Sequence, residues 1–262
     1  MKNLKKINVF QLNKLSKLHD GKNIFFTKTD YLMDDFKTIE QLNNDVILIS
    51  GNSDYTITDF HLERMPSNIK AWFATNVIVE HPKIIPIPLG IENFEPALRP
   101  EHGVGYDRGK TKESFFLNYI DKKPNEFIYS NFRCETNPHH RNSVINVCKN
   151  TEHIIWEEPT LTDVEFFTRI LDFEAVFCPQ GNGEGDNHRI YETLYLNRIP
   201  ITTGPHVHKS LHHKFPVILI EDISLLKNYN FMREQIDIAK SKIWDKNLLD
   251  LDYWETKILS LI

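Results

Sequence analysis

The run Phe177-Cys-Pro-Gln-Gly-Asn-Gly-Glu-Gly-Asp-Asn-His-Arg-Ile-Tyr-Glu192, continued by Thr193-Leu-Tyr-Leu-Asn-Arg-Ile-Pro-Ile-Thr-Thr203, decides how this chain is built. Ala175-Val-Phe-Cys178 is a short apolar segment of strand type and Pro179 ends it. Gly181, Gly183 and Gly185 follow, three of only 10 glycines in 262 residues. Glycine concentrated in one turn marks backbone that must approach something closely. Asp186 or Asn187 is placed to cap a following helix, whose first-turn amides and positive dipole end suit an anion. Arg189 lies in that first turn, and Glu192 sits three residues on along the same face. An arginine fork suits a diphosphate and a carboxylate one turn deeper suits sugar hydroxyls, so the segment predicts a nucleotide-sugar site with Gly181, Asn182 and Gly183 in its loop.

Strand and helix signals alternate on both sides of this motif. In the first half, apolar spacing at Val9, Leu12, Leu15 and Leu18 predicts a helix over 5–18, followed by a strand over Asn23 to Thr27 and a helix over Asp34 to Leu42. Asp45 to Ser50 reads as a buried strand, with further short segments at Ile69 to Thr75 and Ile84 to Leu89. The loop Gly51-Asn-Ser-Asp54 leaves the end of a strand, where ligands of open α/β sheets sit. Residues 100–124 show no clear periodicity and are taken as a domain junction. Beyond them come strands at Glu126 to Ser130 and His153 to Trp156, a helix over Arg141 to Lys149, and a helix capped by Thr162. A last strand at Pro216 to Ile220 precedes a mostly helical tail with apolar positions at Ile236, Ile243, Leu248, Leu251 and Trp254. Two βα series with a cleft between them is the economical architecture.

The net charge of −5 argues against a nucleic-acid binder that works through a general basic surface, so an anionic ligand needs local positive charge. Cys134, Cys148 and Cys178 lack metal-like spacing and read as free thiols of a reducing compartment. No run of about 18 apolar residues occurs, and the basic start of the chain is followed by alternating polarity. The expectation is a cytoplasmic protein without anchor or export signal.

Cys178-Pro-Gln-Gly-Asn-Gly, then His188-Arg-Ile-Tyr-Glu192, then Ile199-Pro-Ile resembles the donor-binding motif of exostosin-like glycosyltransferases. Trp72-Phe-Ala-Thr-Asn76 and Ile85-Pro-Ile-Pro-Leu-Gly-Ile-Glu-Asn93 are similar to a segment in the first half of such enzymes. The resemblance implies an α/β fold of GT-B type: two Rossmann-like domains with a cleft between them, at 1–115 for the acceptor and 116–262 for the sugar nucleotide, the final helices free to pack back on the first domain. It implies a hexosyl- or pentosyltransferase moving a sugar from a UDP-sugar, UDP-xylose among the candidates, to a carbohydrate hydroxyl. No cofactor beyond the co-substrate and no essential metal are expected.

On that reading Arg189 binds the diphosphate and Glu192 the ribose, while a surface or helix-face pair between the two is the plain alternative. Asn131, Arg133 and Arg141 follow the first strand of the second half, Arg141 as a second phosphate ligand or a merely solvated arginine. Thr202 and Thr203 touch base or phosphate, or cap a turn. An inverting transferase needs a base, and Asp54 is the choice over Asp59 and His61, with a simple turn role as its alternative. Asp250-Leu-Asp252 spells the Asp-x-Asp of metal-dependent transferases but is expected to be solvated on a helix. His206, His208, His212 and His213 are expected on a polar loop without metal. Trp72, Phe73, Trp156 and Trp254 read as core, Trp72 being the one to consider as a sugar platform. A donor-binding protein without chemistry remains the alternative function; a dinucleotide oxidoreductase ranks last because the Gly-x-Gly-x-x-Gly spacing is missing.

Overall fold

The computed structural model describes residues 7–93, 106–183, 187–203 and 211–262. Two parallel sheets with helices make up the α/β fold. The first contains β1 (Ile24–Lys28), β2 (Val46–Gly51), β3 (Ile69–Ala74) and β4 (Ile84–Pro86), side by side in chain order. Every residue of β1 and β2 is buried, which is why Ile24 to Phe26 and Val46 to Ile49 read as uninterrupted apolar runs rather than as alternating ones. Their alternate side chains serve two cores. Phe25, Leu48 and Trp72 meet Leu32, Phe36 and Ile39 of α1 (Leu32–Glu40) on one face. Phe26, Ile49 and Phe73 join Leu12, Leu15 and the C-terminal helix on the other.

The second sheet has the order β6-β5-β7-β8-β9, from β5 (Glu126–Ser130), β6 (Ile154–Trp156), β7 (Phe173–Phe177), β8 (Ile199–Thr203) and β9 (Ile218–Ile220). The chain moves outward from β5 to β6, then returns past β5 to build β7 to β9. Neighbouring loops at the carboxyl ends of β5 and β7 therefore leave in opposite directions, which opens a crevice there. On one face Val144 and Cys148 of α4 (Pro138–Lys149) pack with Met232 and Ile236 of α7 (Tyr229–Ser241). On the other, α5 (Asp163–Ile170) and α6 (His188–Tyr195) supply Phe166, Phe167, Ile190 and Leu194 to the same core that underlies the first sheet.

That shared core is fastened by polar ties. The amide of Phe10 donates to the Tyr195 hydroxyl at 2.8 Å, and that hydroxyl donates to the Leu249 carbonyl at 2.5 Å, joining three distant segments. The helix α8 (Leu251–Leu259) lays Trp254 edge-on against Phe73 of β3, with centroids 6.5 Å apart.

Several expectations need correction. The segment taken as an aperiodic junction contains α3 (Tyr106–Asn118), and α2 (Asp59–Leu62) adds a short turn of helix in the first half. Among the residues whose burial is described, Gly109, Lys112, Phe116 and Tyr119 are the buried positions along and just after α3; the spacing is helical, but one is glycine and one lysine, so no apolar stripe betrays it. The N-terminal segment is a tight 3-10 helix at Leu12–Leu18, because Val9 and Gln11 are extended and bridge to Asp250 and Gly90. Ile243 is 82% exposed between α7 and the next turn and is no core position. Asp250 is not solvated: it is fully buried, caps α8 and accepts from the Asn8 amide at 3.1 Å. Trp72 is fully buried as well, its indole N–H donating to Ser50 Oγ at 2.8 Å, so it offers no platform to a sugar.

Candidate functional site

A cleft of about 1300 Å³ runs between the carboxyl ends of the two sheets. The first half contributes Lys28 and Asp30 after β1, Asn52 to Tyr55 after β2, Asn76 after β3, and Glu92. The second contributes Asn131 and Arg133 after β5, Gly181 to Gly183 after β7, and Arg189 and Glu192 of α6. Among the described residues, six Lys or Arg side chains and five carboxylates line it, so positive charge is concentrated there in a chain of net charge −5.

The glycine loop leaves β7 at the crevice beside β5. Its carbonyls are held from behind: Asn137 Nδ2 donates to Gly181 O at 2.6 Å, and Arg141 Nε to Gln180 O at 2.9 Å. Among the described residues, the amides of Gly181, Asn182 and Gly183 donate to no acceptor. Neither described glycine adopts positive φ. Gly183 is required by proximity instead, since a β-carbon there would stand 2.5 Å from the carbonyl oxygen of Asp54 across the cleft. Asn187 caps α6 by accepting from the Ile190 amide at 3.3 Å, which leaves the first turn of that helix at the cleft.

Arg189 reaches from this first turn over the Phe166 ring, 4.5 Å from its centroid, and donates to the Asn131 carbonyl. Asn131 in turn is buried and donates through Nδ2 to Glu158 O at 3.1 Å. Arg189, Asn131, Gly181, Asn182, Gly183 and Asp54 are thus brought together, with Asp54 exposed on the opposite wall. Arg141 lines the cleft, but its guanidinium is engaged by the carbonyls of Gln180, Arg133 and Pro179, so it braces the loop rather than presenting a free fork. Burial, and then the charge of Arg189, pull its pKa down to about 10. Thr202 and Thr203 are buried behind the loop and are not cleft-lining residues; Thr203 Oγ1 pairs with His140 Nε2 at 2.7 Å. Gly185, Asp186, His206 and His208 lie outside the described residues.

Glu192 lies at the wall of the cleft, only 3% exposed, and its ion-pair partner is Lys112 rather than Arg189. Its Oε1 accepts from Lys112 Nζ at 2.5 Å, and the same ammonium lies 3.0 Å from Glu92 Oε2. Beside them Arg108 grips Asp163 with two hydrogen bonds of 2.9 Å. Burial opposes ionisation of Glu192, but the charges of Lys112 and Arg189 outweigh it and hold its carboxyl below the usual range. Burial likewise opposes charge on Lys112, yet the two glutamates raise its pKa. Glu92 comes from the first half, Lys112 from α3 and Glu192 from the second half, so one ammonium joins both walls. Lys112 was invisible in sequence because it occupies the inward face of a helix that lacks an apolar stripe, and Arg108 because it is an exposed charge at the start of that helix. Asn52 and Asn76 had a readable signal: each follows a strand in the left-handed region, with φ of +52° and +53°, a conformation asparagine tolerates better than most residues.

Among the described residues no three His, Cys, Asp or Glu side chains form a set that could hold a metal ion, and no helix is long and apolar enough to cross a membrane. No family model and no curated protein sequence matches this chain. Among solved structures it is similar to a Methanocaldococcus jannaschii UDP-GlcNAc 2-epimerase in complex with UDP-GlcNAc and UDP, at 13% identity over 95% of this chain and 78% of that one, with a TM-score of 0.38.

Proposed function

We propose that this chain is a glycosyltransferase that takes a UDP-sugar as donor and transfers the sugar to a carbohydrate hydroxyl, as its likeness to the exostosin donor motif implies. The carrying observation is the meeting of Arg189 and the uncommitted amides of Gly181 to Gly183 at the β5/β7 crevice, directly opposite Asp54. The diphosphate lies against those amides and the guanidinium, which stabilise the charge that develops on the departing nucleotide without a metal. Glu192, kept ionised by Lys112, accepts from ribose hydroxyls.

Asp54 is the base on the acceptor side. The acceptor oxygen attacks the anomeric carbon, the bond from that carbon to the phosphate oxygen breaks, and the acceptor proton passes to the Asp54 carboxylate. A single displacement of this kind inverts the anomeric centre.

Thermal melting with UDP, UDP-xylose, UDP-glucose, UDP-GlcNAc and GDP-fucose tests the donor. A ligand at 100-fold its Kd adds about 2.7 kcal/mol, a rise of roughly 5–10 °C for a chain of this size. A shift with UDP and one UDP-sugar, followed by UDP release when a glycan is added, is the expected result. No shift with any nucleotide overturns the proposal, and binding without turnover on any glycan makes the chain a donor-binding protein.

A further inference from the structure

Lys28 ends β1 opposite Gly51 in register, one strand from the loop that carries Asp54. Its side chain is only 8% exposed and lines the cleft. Among the described residues its ammonium makes no hydrogen bond, and its one charged neighbour is Asp30, with Nζ and Oδ2 3.8 Å apart. That separation is an ion pair too long for a hydrogen bond. The aliphatic stem is enclosed while the ammonium itself opens to the cleft, so its hydrogen-bonding capacity is directed at whatever occupies that space. The Asp30 carboxylate, 27% exposed, also accepts no hydrogen bond from a described residue.

We propose that Lys28 and Asp30 together clamp one hydroxyl of an uncharged sugar acceptor, an inference that rests on reading the cleft as a site of glycosyl transfer. A hydroxyl accepts and donates at once. Its oxygen, about 2.8 Å from each partner, bridges the gap by accepting from Nζ and donating its proton to Oδ2. The pair carries no net charge, so an anionic substituent drawn to Lys28 is repelled by Asp30 and by nearby Asp54, whereas a neutral polyol meets no such opposition. The remaining wall suits a sugar: Tyr55, 63% exposed, supplies an aromatic surface and Asn52 an amide.

The test is binding of methyl β-xyloside, methyl β-glucoside and methyl β-galactoside, against glucuronic acid and glucose 6-phosphate, followed by saturation-transfer NMR on the full chain with UDP present. At least one neutral glycoside binds the unaltered protein; Lys28→Met and Asp30→Asn each raise its Kd at least tenfold and leave the Kd for UDP unchanged. Asp30→Asn, on the solvent side of the pair, keeps the test open if Lys28→Met fails to fold. Unchanged glycoside affinity in both variants, tighter binding of the charged sugars, or no glycoside binding at all overturns the clamp. Failure of UDP to bind defeats the transferase reading instead, and Lys28-dependent glycoside binding would survive that result.

Discussion

The backbone of Gly183 lies against the backbone of Asp54, so close that a methyl group at position 183 would come within 2.5 Å of the Asp54 carbonyl oxygen. The glycine loop of one sheet and the strand-end loop of the other are therefore in contact, and only hydrogen at Cα allows it. Gly183→Ala forces the loops apart, at a cost of about 1–3 kcal/mol. The expected result is a UDP affinity about tenfold weaker by calorimetry. Gly181→Ala is the control, because its β-carbon would meet Asn187 Cβ at an ordinary 3.8 Å; its effect should stay within about 0.5 kcal/mol. Equal effects of the two substitutions would contradict this account of the loop.

Lys112→Met leaves the buried Glu192 without its ion-pair partner, while the half-buried Glu92 keeps Arg108 at 3.7 Å. Removing one member of a buried ion pair costs about 3–5 kcal/mol, so the urea midpoint should drop sharply. Adding Glu192→Gln removes a stranded charge and should restore part of the loss. A double variant as unstable as the sum of the two single ones would show that Lys112 and Glu192 are not coupled.

Arg189 and Asp54 are predicted to fail in different ways. Arg189→Ala should raise the Kd for UDP by roughly 10–100-fold, the range of a charge-assisted contact worth about 1.5–3 kcal/mol. Asp54→Asn should leave that Kd unchanged while turnover falls by about 100-fold or more. A normal rate in Asp54→Asn removes it as the base.

Asp20 provides a pH test remote from the cleft. Its carboxylate accepts from the amides of Lys22, Asn23 and Ile24 at 2.9, 2.7 and 2.9 Å, fastening the turn into β1. Burial opposes ionisation, but these amides, with the Asn23 side chain, outweigh it and hold the pKa at about 2. The folded value lies below the unfolded one, so this contribution is complete above about pH 4 and is lost as the pH falls to about 2. Because the group is exposed to solvent, screening limits it to about 1 kcal/mol. Urea midpoints should show Asp20→Ala destabilised at pH 6 and nearly equal to the unaltered chain at pH 2; a constant difference would refute the assignment.

The strands were legible because parallel strands covered on both faces are uninterrupted apolar runs; Val46 to Ile49 and Ala175 to Phe177 are such runs. Caps were legible for a similar reason: Thr162 and Glu165 form their box within four residues. In the cleft, Gly181 to Gly183, Arg189 and Glu192 stood out because they are neighbours along the chain. Local chemistry of this kind is written in consecutive residues. What the sequence could not disclose was what each group meets across the fold. Glu192 faces Lys112, 80 residues away; Gly183 faces Asp54; Arg141 braces carbonyls around residues 133 and 179–180; and the Lys28 ammonium makes no hydrogen bond with a described residue. The sequence by itself determined two series of parallel strands and an anion-suited turn, since those depend on polarity and spacing within one segment. Only the tertiary structure decided which side chains are spent on the protein and which are left to a ligand, because that depends on strand order and on the burial of charges brought together from distant segments.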